Sequence, residues 1–335
     1  MTKSEVVKII LENHQSAPVA FGEAFAPANI ALAKYWGKRD EELNLPRTPS
    51  LSVSLGQYGS HTKISQTDNG DFYMLNGQVV AADSSFARRL GLYLDLFRPD
   101  TDFFFRVETV NSIPTAAGLA SSASAYAALV FTLNDFFQWR LDKTALSILA
   151  RLGSGSACRS VYRGFVEWQA GTAESGMDSF ALPLAHTWPD LCLGLIEISS
   201  EEKPVSSRAG MKRTVQSSVL YKNWPEKVEK DLERLKTAIE KKDFALLGQT
   251  AESNALAMHA TMIAAWPPLL YWLPQSLETI HKIHRLRDEG LPVFFTMDAG
   301  PNIKLLFEAK DKDDVSHQFE NIKIIRPFDR AGEKT

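Results

Sequence analysis

Residues 112–126 read Ser-Ile-Pro-Thr-Ala-Ala-Gly-Leu-Ala-Ser-Ser-Ala-Ser-Ala-Tyr and lie between two elements of different predicted type. Residues 103–110 before them form an apolar, strand-like run, and the alanine-rich residues 119–137 predict a helix. A loop of small residues at a helix start lets phosphate oxygens approach backbone N–H groups that have no partner inside the helix. The stretch therefore favours phosphate binding, although an ordinary strand–turn–helix connection with a serine cap shows the same local pattern.

Two hydroxyl groups strengthen the phosphate interpretation of this stretch. Ser121 and Ser122 can bind phosphate oxygens or a phosphate-bound metal ion. The pattern matches neither Gly-x-x-x-x-Gly-Lys-Ser/Thr nor Gly-x-Gly-x-x-Gly, so it does not by itself identify a class of nucleotide-binding protein.

The bulk composition is that of an ordinary globular protein. The chain has 335 residues, 44% of them hydrophobic and 23% charged, which suits two domains or one large one. Its net charge of -3 favours neither nucleic acid nor an anionic membrane as partner, but it permits a locally basic pocket for a small anion. No apolar run approaches the ~18 residues of a membrane span. Residues 1–13 predict an amphipathic helical arm rather than a signal peptide.

The two cysteines favour a cytoplasmic protein with buried, reduced thiols. Cys158 and Cys192 lie far apart in sequence and neither belongs to a Cys-x-x-Cys pair. This spacing argues against a zinc site or a disulfide framework.

Residues 27–40 interleave cations and aromatic residues with small apolar ones. Lys34, Lys38 and Arg39 surround Tyr35 and its neighbouring tryptophan. A cleft lining would bury the aromatic rings while the cations face an anion. An amphipathic connector with a cluster of surface lysines is the alternative.

A second loop of small residues spans residues 153–160. Ser154 and Ser156 are two positions apart, and Arg159 follows three positions later. The two hydroxyls can point the same way, and a guanidinium can bind a carboxylate or phosphate through two parallel hydrogen bonds. A flexible surface linker is the alternative.

A third anion-friendly place is the predicted helix start at residues 204–211. Serines precede Arg208 here, so a helix N-terminus and a cation lie together. A simple serine cap explains the serines equally well.

Asp298 ends an apolar strand and precedes Ala-Gly-Pro. A carboxylate at that position can face a cleft and act as a general base, or it can bond its own backbone as turn aspartates commonly do. The seven histidines are scattered, and no His, Cys and carboxylate cluster has metal-ligand spacing. Several anion sites with one well-placed acid suit phosphoryl transfer from a nucleotide to a small anionic substrate.

The patterning predicts a two-layer, two-domain α+β protein with a boundary near residues 184–189. The predicted strands are residues 21–26, 51–55, 61–66, 72–75, 103–110, 165–168, 191–198, 292–297, 303–307 and 323–326. The predicted helices are residues 83–96, 119–137, 142–152, 226–241, 243–262, 275–288 and 310–319.

The sequence resembles the mevalonate diphosphate decarboxylase family of the GHMP kinase superfamily. Five motifs carry the resemblance, in the family's order and across nearly the whole chain: residues 26–40, 114–123, 153–160, 205–211 and 297–302. Pro-x-x-x-Gly-Leu-x-Ser-Ser-Ala marks only the superfamily, whereas Lys-Tyr-Trp-Gly-Lys-Arg and Gly-Ser-Gly-Ser-Ala-Cys-Arg-Ser are much more specific. One departure is Ser124-Ala125, where Ala-Gly is more usual.

The resemblance implies a two-domain GHMP-kinase-like fold with the active-site cleft between the domains. Residues 1–188 would form a ribosomal S5 domain 2-like, ATP-binding N-terminal domain, and residues 189–335 a helix-rich α/β C-terminal domain. It also implies a cytoplasmic homodimer that acts on a small molecule, without nucleic acid or membrane.

The implied reaction is ATP- and Mg²⁺-dependent decarboxylation of mevalonate 5-diphosphate to isopentenyl diphosphate in isoprenoid biosynthesis. Asp298 would orient or deprotonate the 3-hydroxyl, with Lys34 beside it, and Arg159 and Asn29 would hold the substrate carboxylate. ATP would be bound by Gly118, Leu119, Ala120, Ser121 and Ser122, with Ser122 also on the magnesium ion. The rest of the substrate, chiefly its diphosphate, would be bound by Tyr35, Lys38, Ser154, Ser156, Ser207, Arg208 and Met211.

Sister activities on the same fold are the main alternative. The chain could decarboxylate the monophosphate, or phosphorylate a mevalonate-like hydroxyl without decarboxylation. Lys38 and Arg208 favour a diphosphate, and Arg159 favours a held carboxylate. A non-catalytic binding protein would lack Asp298, Lys34 or the serine loop, and all are present.

Overall fold

The computed structural model describes residues 1–15, 17–112, 121–201 and 203–329, and for Ser121 the backbone alone. The predicted phosphate-loop residues Gly118, Leu119 and Ala120, and the side chain of Ser121, lie outside this description.

Helices and strands occur in runs along the described chain, with six strands after the first helix and four helices before the eleventh strand. The helices are α1 (Lys3–Leu11), α2 (Ser85–Leu94), α3 (Ser121–Phe136), α4 (Lys143–Gly153), α5 (Ser207–Ser217), α6 (Trp224–Lys241), α7 (Phe244–Ile263), α8 (Pro274–Asp288) and α9 (Lys312–Gln318). The strands are β1 (Gly22–Ala33), β2 (Lys38–Asp40), β3 (Leu45–Pro46), β4 (Ser50–Thr67), β5 (Phe72–Leu75), β6 (Gln78–Val79), β7 (Phe104–Asn111), β8 (Phe165–Trp168), β9 (Ala181–Pro183), β10 (Leu191–Ile196), β11 (Phe294–Met297), β12 (Ile303–Glu308) and β13 (Lys323–Ile325). The α+β prediction is confirmed.

The first sheet is organised around β4. Strand β1 pairs antiparallel with β4 along most of its length, while β7 pairs with the C-terminal part of β4 and β8 with its N-terminal part. The prediction of two separate strands at 51–55 and 61–66 is wrong. Both segments belong to β4, which continues through Gly56 at a φ of 61°.

Strand β1 also continues beyond its predicted end at residue 26. The pairing register shifts between Pro27 and Asn29, where proline lacks an N–H for the ladder, and then resumes with Asn29 opposite Ser54. The continuation makes residues up to Ala33 part of the strand and carries Lys34 to its end.

The second sheet has the order β11-β12-β10-β13 with antiparallel pairing throughout. Helices α6 and α7 pack between it and β1, and one apolar core joins both sheets through Ile30 and Leu32 of β1 and Leu193 of β10. This shared core fixes the end of β1 against the second half of the chain. The boundary at 188/189 lies between β9 and β10 and stays a proposal.

Several local predictions can be compared directly. The helix predicted at 142–152 is α4, and Asp142 caps it, since its side chain accepts from the N–H of Ala145. The loop predicted at 153–160 is mostly a 3₁₀ helix, Gly155–Val161. Cys158 and Cys192 are both buried. Within the described ranges, none of the helices has the length and apolarity needed to cross a membrane.

Candidate active site

The end of β1 is tied to the helices of the second half. The backbone N–H of Lys34 donates to Asn254 Oδ1 on α7 at 2.8 Å, and Asn254 Nδ2 donates to Asp231 Oδ2 on α6 at 2.9 Å. All three residues are buried. A buried amide that uses both ends in this way fixes the backbone from which the Lys34 side chain starts.

The Lys34 ammonium meets the carboxylate of Asp298, which follows β11. Lys34 Nζ lies 2.9 Å from Asp298 Oδ1, and Lys304 Nζ lies 3.2 Å from Asp298 Oδ2. The two lysine side chains are 2% exposed, whereas the Asp298 side chain is 35% exposed. The carboxylate is therefore held from within by two ammonium groups and stays accessible on its open side.

Burial and charge shift the pKa values of this group in different directions. Burial tends to raise the pKa of Asp298, but Lys34 and Lys304 outweigh it and hold the pKa well below its usual range. Burial lowers the pKa of Lys34 to about 8, although Asp298 opposes this shift. Asp298 is thus ionised at neutral pH.

A buried histidine supports the turn that carries Asp298. His259 Nε2 lies 3.0 Å from the Asp298 carbonyl oxygen, and burial lowers the pKa of His259 to about 4. The neutral ring must donate Nε2–H, since a carbonyl oxygen only accepts.

Arg159 and Asn29 meet, as the resemblance implies. Arg159 Nη2 donates to Asn29 Oδ1 at 3.2 Å, and the guanidinium also donates to the hydroxyls of Ser50 at 2.6 Å and Ser52 at 3.1 Å. Asn29 Nδ2 donates to Ser160 Oγ at 2.8 Å. No carboxylate of the described chain contacts this buried guanidinium, so its charge is available to an anionic ligand.

Lys38 is held by a residue that the sequence analysis did not single out. Lys38 Nζ donates to Asn44 Oδ1 at 2.7 Å, and Asn44 Nδ2 donates to the carbonyls of Arg151 at 2.9 Å and Leu152 at 3.0 Å. Asn44 is buried and adopts a φ of 55°, a conformation that asparagine tolerates better than most residues. One amide therefore joins Lys38 to the C-terminal end of α4, just before the Ser154 loop.

Tyr35 presents a hydroxyl without a protein partner. Its Oη is buried and has no hydrogen-bond partner among the described residues, and its ring packs edge-on against Trp168 at 4.7 Å. A Cβ at Gly155 would lie 2.8 Å from this Oη, so glycine keeps room beside it. Burial raises the pKa of Tyr35, which keeps the phenol neutral and able to donate.

The first turn of α3 adjoins the serine loop after α4. Ser122 Oγ lies 3.4 Å from Ser154 Oγ, and Ser122 is exposed. The predicted ATP-binding helix start and the predicted substrate loop are therefore neighbours. Ser156, half-buried, follows in the 3₁₀ helix.

The start of α5 completes the set of predicted substrate residues. Ser207 Oγ accepts from Lys203 Nζ at 2.7 Å, and the same ammonium donates to the Ala299 carbonyl at 2.7 Å, next to Asp298. Arg208 is exposed, and Met211 is buried in an apolar cluster with Trp36.

Sequence reasoning missed Lys304, Asn44, His259 and Lys203. A lysine within the otherwise apolar run of β12 was the available indication for Lys304, because an ammonium in a buried strand requires a partner. Metal ligation by carboxylates, histidines or cysteines has no support in the described ranges, since no group of three or more of these residues could hold an ion.

Comparison with known proteins assigns the family. Residues 26–181 match the diphosphomevalonate decarboxylase-like N-terminal domain, and residues 195–330 match the mevalonate 5-diphosphate decarboxylase C-terminal domain. A diphosphomevalonate decarboxylase of Danio rerio is 39% identical over 90% of this chain and 78% of its own length. The chain belongs to the diphosphomevalonate decarboxylase family. The resemblance noted in the sequence is confirmed.

Solved structures of diphosphomevalonate decarboxylases have the same two-domain fold. The mevalonate diphosphate decarboxylase of Staphylococcus aureus has a TM-score of 0.86 at 40% identity, with 95% of this chain and 97% of that chain covered. A second structure, MDDEF in complex with MVAPP, AMPPCP and magnesium, has a TM-score of 0.86 at 41% identity, with 91% and 96% covered.

Proposed function

We propose that this protein catalyses the ATP-dependent decarboxylation of mevalonate 5-diphosphate to isopentenyl diphosphate, with release of CO₂, ADP and phosphate. Membership of the decarboxylase family supports this activity. The observation that carries it is the partly exposed carboxylate of Asp298, which pairs with Lys34 and lies within electrostatic reach of the buried Arg159 guanidinium.

Asp298 faces the reacting hydroxyl in this proposal. The carboxylate accepts a hydrogen bond from the substrate 3-hydroxyl and thereby aims its oxygen at the γ-phosphorus of ATP. Because the pKa of Asp298 is low, its carboxylate is a weak base and takes the proton only as the O–P bond forms and the hydroxyl grows more acidic. Lys34 pairs with the carboxylate and lies near the incoming phosphoryl group, whose negative charge its ammonium attracts.

Phosphorylation converts the tertiary hydroxyl into a phosphate leaving group. The C3–O bond then breaks with its electron pair on the phosphate, and positive charge develops at C3. The electrons of the bond to the carboxylate carbon form the new double bond as CO₂ departs. The residues of the chain position the substrate for these steps and stabilise the charges that develop in them.

Arg159 and Asn29 suit the carboxylate that is lost. The Arg159 guanidinium is fixed by neutral oxygens of Ser50, Ser52 and Asn29, so it retains a full positive charge for the substrate. A rigid planar donor holds the carboxylate in one orientation until its bond to the chain breaks.

The substrate diphosphate is assigned to a set of cations and hydroxyls that includes Lys38 and Tyr35. Lys38 supplies an ammonium fixed by Asn44, and the unpartnered Tyr35 hydroxyl can donate to a phosphate oxygen. The remaining assigned residues are Ser154, Ser156, Ser207, Arg208 and, as an apolar contact, Met211.

ATP is assigned to residues 118–122 and the start of α3. The donor set fits magnesium held chiefly by phosphate oxygens, with the Ser122 hydroxyl as a protein ligand, because Mg²⁺ favours hard oxygen donors and keeps several waters. Bound there, the ion would neutralise phosphate charge. The relative whose structure holds AMPPCP and magnesium supports the use of ATP and magnesium.

The wider setting follows from the same proposal. The reaction belongs to isoprenoid biosynthesis, a branch of lipid metabolism, and the two reduced thiols favour the cytoplasm. We also infer a homodimer and a domain boundary at 188/189.

Decarboxylation of the monophosphate is the second candidate activity. The two cations Lys38 and Arg208 disfavour it, because together they suit a diphosphate.

One incubation tests the activity. Purified protein with ATP, magnesium and mevalonate 5-diphosphate should release CO₂ and ADP in equal amounts, and mevalonate 5-phosphate should serve as the matched control substrate. ADP without CO₂ would reduce the activity to that of a kinase, and preference for the monophosphate would favour the second candidate.

A further inference from the structure

Lys304 is a buried ammonium in the middle of the second sheet. It is the second residue of β12, opposite Thr296 on β11 and Leu195 on β10. Its side chain is 2% exposed. Burying a lysine among apolar strands is costly unless the ammonium is paired, so its partner explains its presence.

The partner of Lys304 is the carboxylate oxygen that Lys34 leaves free. Lys304 Nζ lies 3.2 Å from Asp298 Oδ2, while Lys34 Nζ lies 2.9 Å from Oδ1. Lys304 Nζ is also 3.5 Å from the carbonyl oxygen of Asn302, the residue just before β12. Each oxygen of Asp298 thus has one ammonium of its own.

The surroundings of Asp298 are strongly cationic. The charged and titratable groups that influence it or its two lysines come from every element packed there: Lys34 after β1, Arg159 in the 3₁₀ helix, Lys203 before α5, neutral His259 on α7 and Lys304 on β12. Two of these cations touch the carboxylate directly.

We propose that Lys304 is a positioning residue, a fixed counterion that keeps Asp298 ionised and oriented while Lys34 turns to the transferring phosphoryl group. The inference rests on the proposed function. A phosphoryl group that arrives beside Asp298 brings negative charge, and Lys34 alone cannot compensate both groups at full contact. With Lys304 on the far oxygen, Lys34 can move toward the phosphoryl group without leaving the carboxylate unpaired.

Removal of the Lys304 charge should shift the pKa of Lys34, which a defect in packing alone would not do. The Lys304 ammonium is one of the groups that lower the pKa of Lys34, so its loss should raise that pKa above about 8. In Lys304→Met the alkaline limb of kcat/KM should therefore move to higher pH. The value of kcat should fall at least ~10-fold while KM for mevalonate 5-diphosphate changes less than ~3-fold, because Asp298 acts on the reacting hydroxyl rather than on binding.

Two further variants separate charge from packing. Lys304→Arg keeps the charge and should retain the wild-type alkaline limb, with kcat higher than in the methionine variant. Thr296→Val alters the residue opposite Lys304 without altering charge and should leave the pH profile unchanged. If Lys304→Met does not fold, the arginine variant carries the test, and a displaced alkaline limb there would overturn the proposal.

The outcomes distinguish this inference from the proposed function. An active wild type whose Lys304→Met variant keeps both kcat and the pH profile refutes the role of Lys304 alone. The same holds if Thr296→Val reproduces the shift. A wild type that forms neither CO₂ nor ADP refutes the proposed function and this inference together.

Discussion

Lys34 Nζ lies 2.9 Å from Asp298 Oδ1, although 264 positions separate the two residues in sequence. The contact joins the end of β1 in the first sheet to the turn after β11 in the second. Any change in how the two halves of the chain pack must therefore change the geometry of this ion pair. Catalysis in the proposed mechanism depends on the interface between the sheets as much as on the residues themselves.

Replacing Asp298 with asparagine should abolish turnover and spare nucleotide binding. The amide cannot take the hydroxyl proton, so we expect kcat to fall by at least ~10²-fold, the scale of general base catalysis. Fluorescent ATP-analogue titration should give a Kd within ~3-fold of the wild type, because the nucleotide is assigned to residues 118–122. Near-normal turnover in Asp298→Asn or Asp298→Ala would show that the assignment of the base is wrong.

The pH profile should report the protonation of Lys34. Burial lowers the pKa of Lys34 to about 8, and the charged form is the one that compensates phosphoryl charge. In the free enzyme kcat/KM should therefore fall as the pH rises through about 8, whereas ionised Asp298 contributes no acidic limb in the working range.

Lys34→Arg provides the matched measurement for this limb. An arginine stays protonated, so the alkaline limb should disappear from the residual activity. An unchanged limb in Lys34→Arg would assign the titration to another group.

Turnover should depend on the planar guanidinium of Arg159, which is proposed to hold the substrate carboxylate. Arg159→Lys keeps a charge but loses the planar donor that Asn29, Ser50 and Ser52 fix in place. We expect kcat/KM to fall ~10²-fold, on the scale of one lost charged hydrogen-bonding group. Arg163→Gln is the control, since Arg163 is exposed. Equal losses in both variants would show that the loss is not specific to the Arg159 site.

Asn44 should matter for the affinity of the diphosphate. In Asn44→Ala the Lys38 ammonium loses its 2.7 Å acceptor and α4 loses two capping hydrogen bonds. We expect KM for mevalonate 5-diphosphate to rise ~10-fold with a smaller change in kcat, because a binding cation is displaced while the reacting centre is intact. Steady-state kinetics with a parallel thermal melt separate this effect from unfolding. A lower kcat at unchanged KM would contradict the assignment.

Local sequence patterns predicted most elements of the fold because apolar periodicity is a local property. They failed where pairing with a distant strand sets the length of an element. Strand β1 continues beyond Pro27 because residues of β4 pair with it there. Among site residues, Asp298 and Arg159 lie in recognisable motifs. Lys304 and Asn44 lie among apolar residues without a motif, and their partners belong to distant turns or helix ends. Only the assembled structure brings those polar atoms together.

His259 should make the protein less stable in mild acid. Burial lowers its pKa to about 4 in the folded state, below the ordinary value of 6.5, so between these pH values the unfolded chain binds more protons. The free energy of unfolding therefore falls as the pH falls through this window, by about 2 kcal/mol between pH 7 and pH 5 from this residue alone. His259→Gln can still donate to the Asp298 carbonyl but does not titrate. The urea midpoint should therefore drop less for the variant than for the wild type between pH 7 and pH 5, and equal drops would show that His259 is not the group responsible.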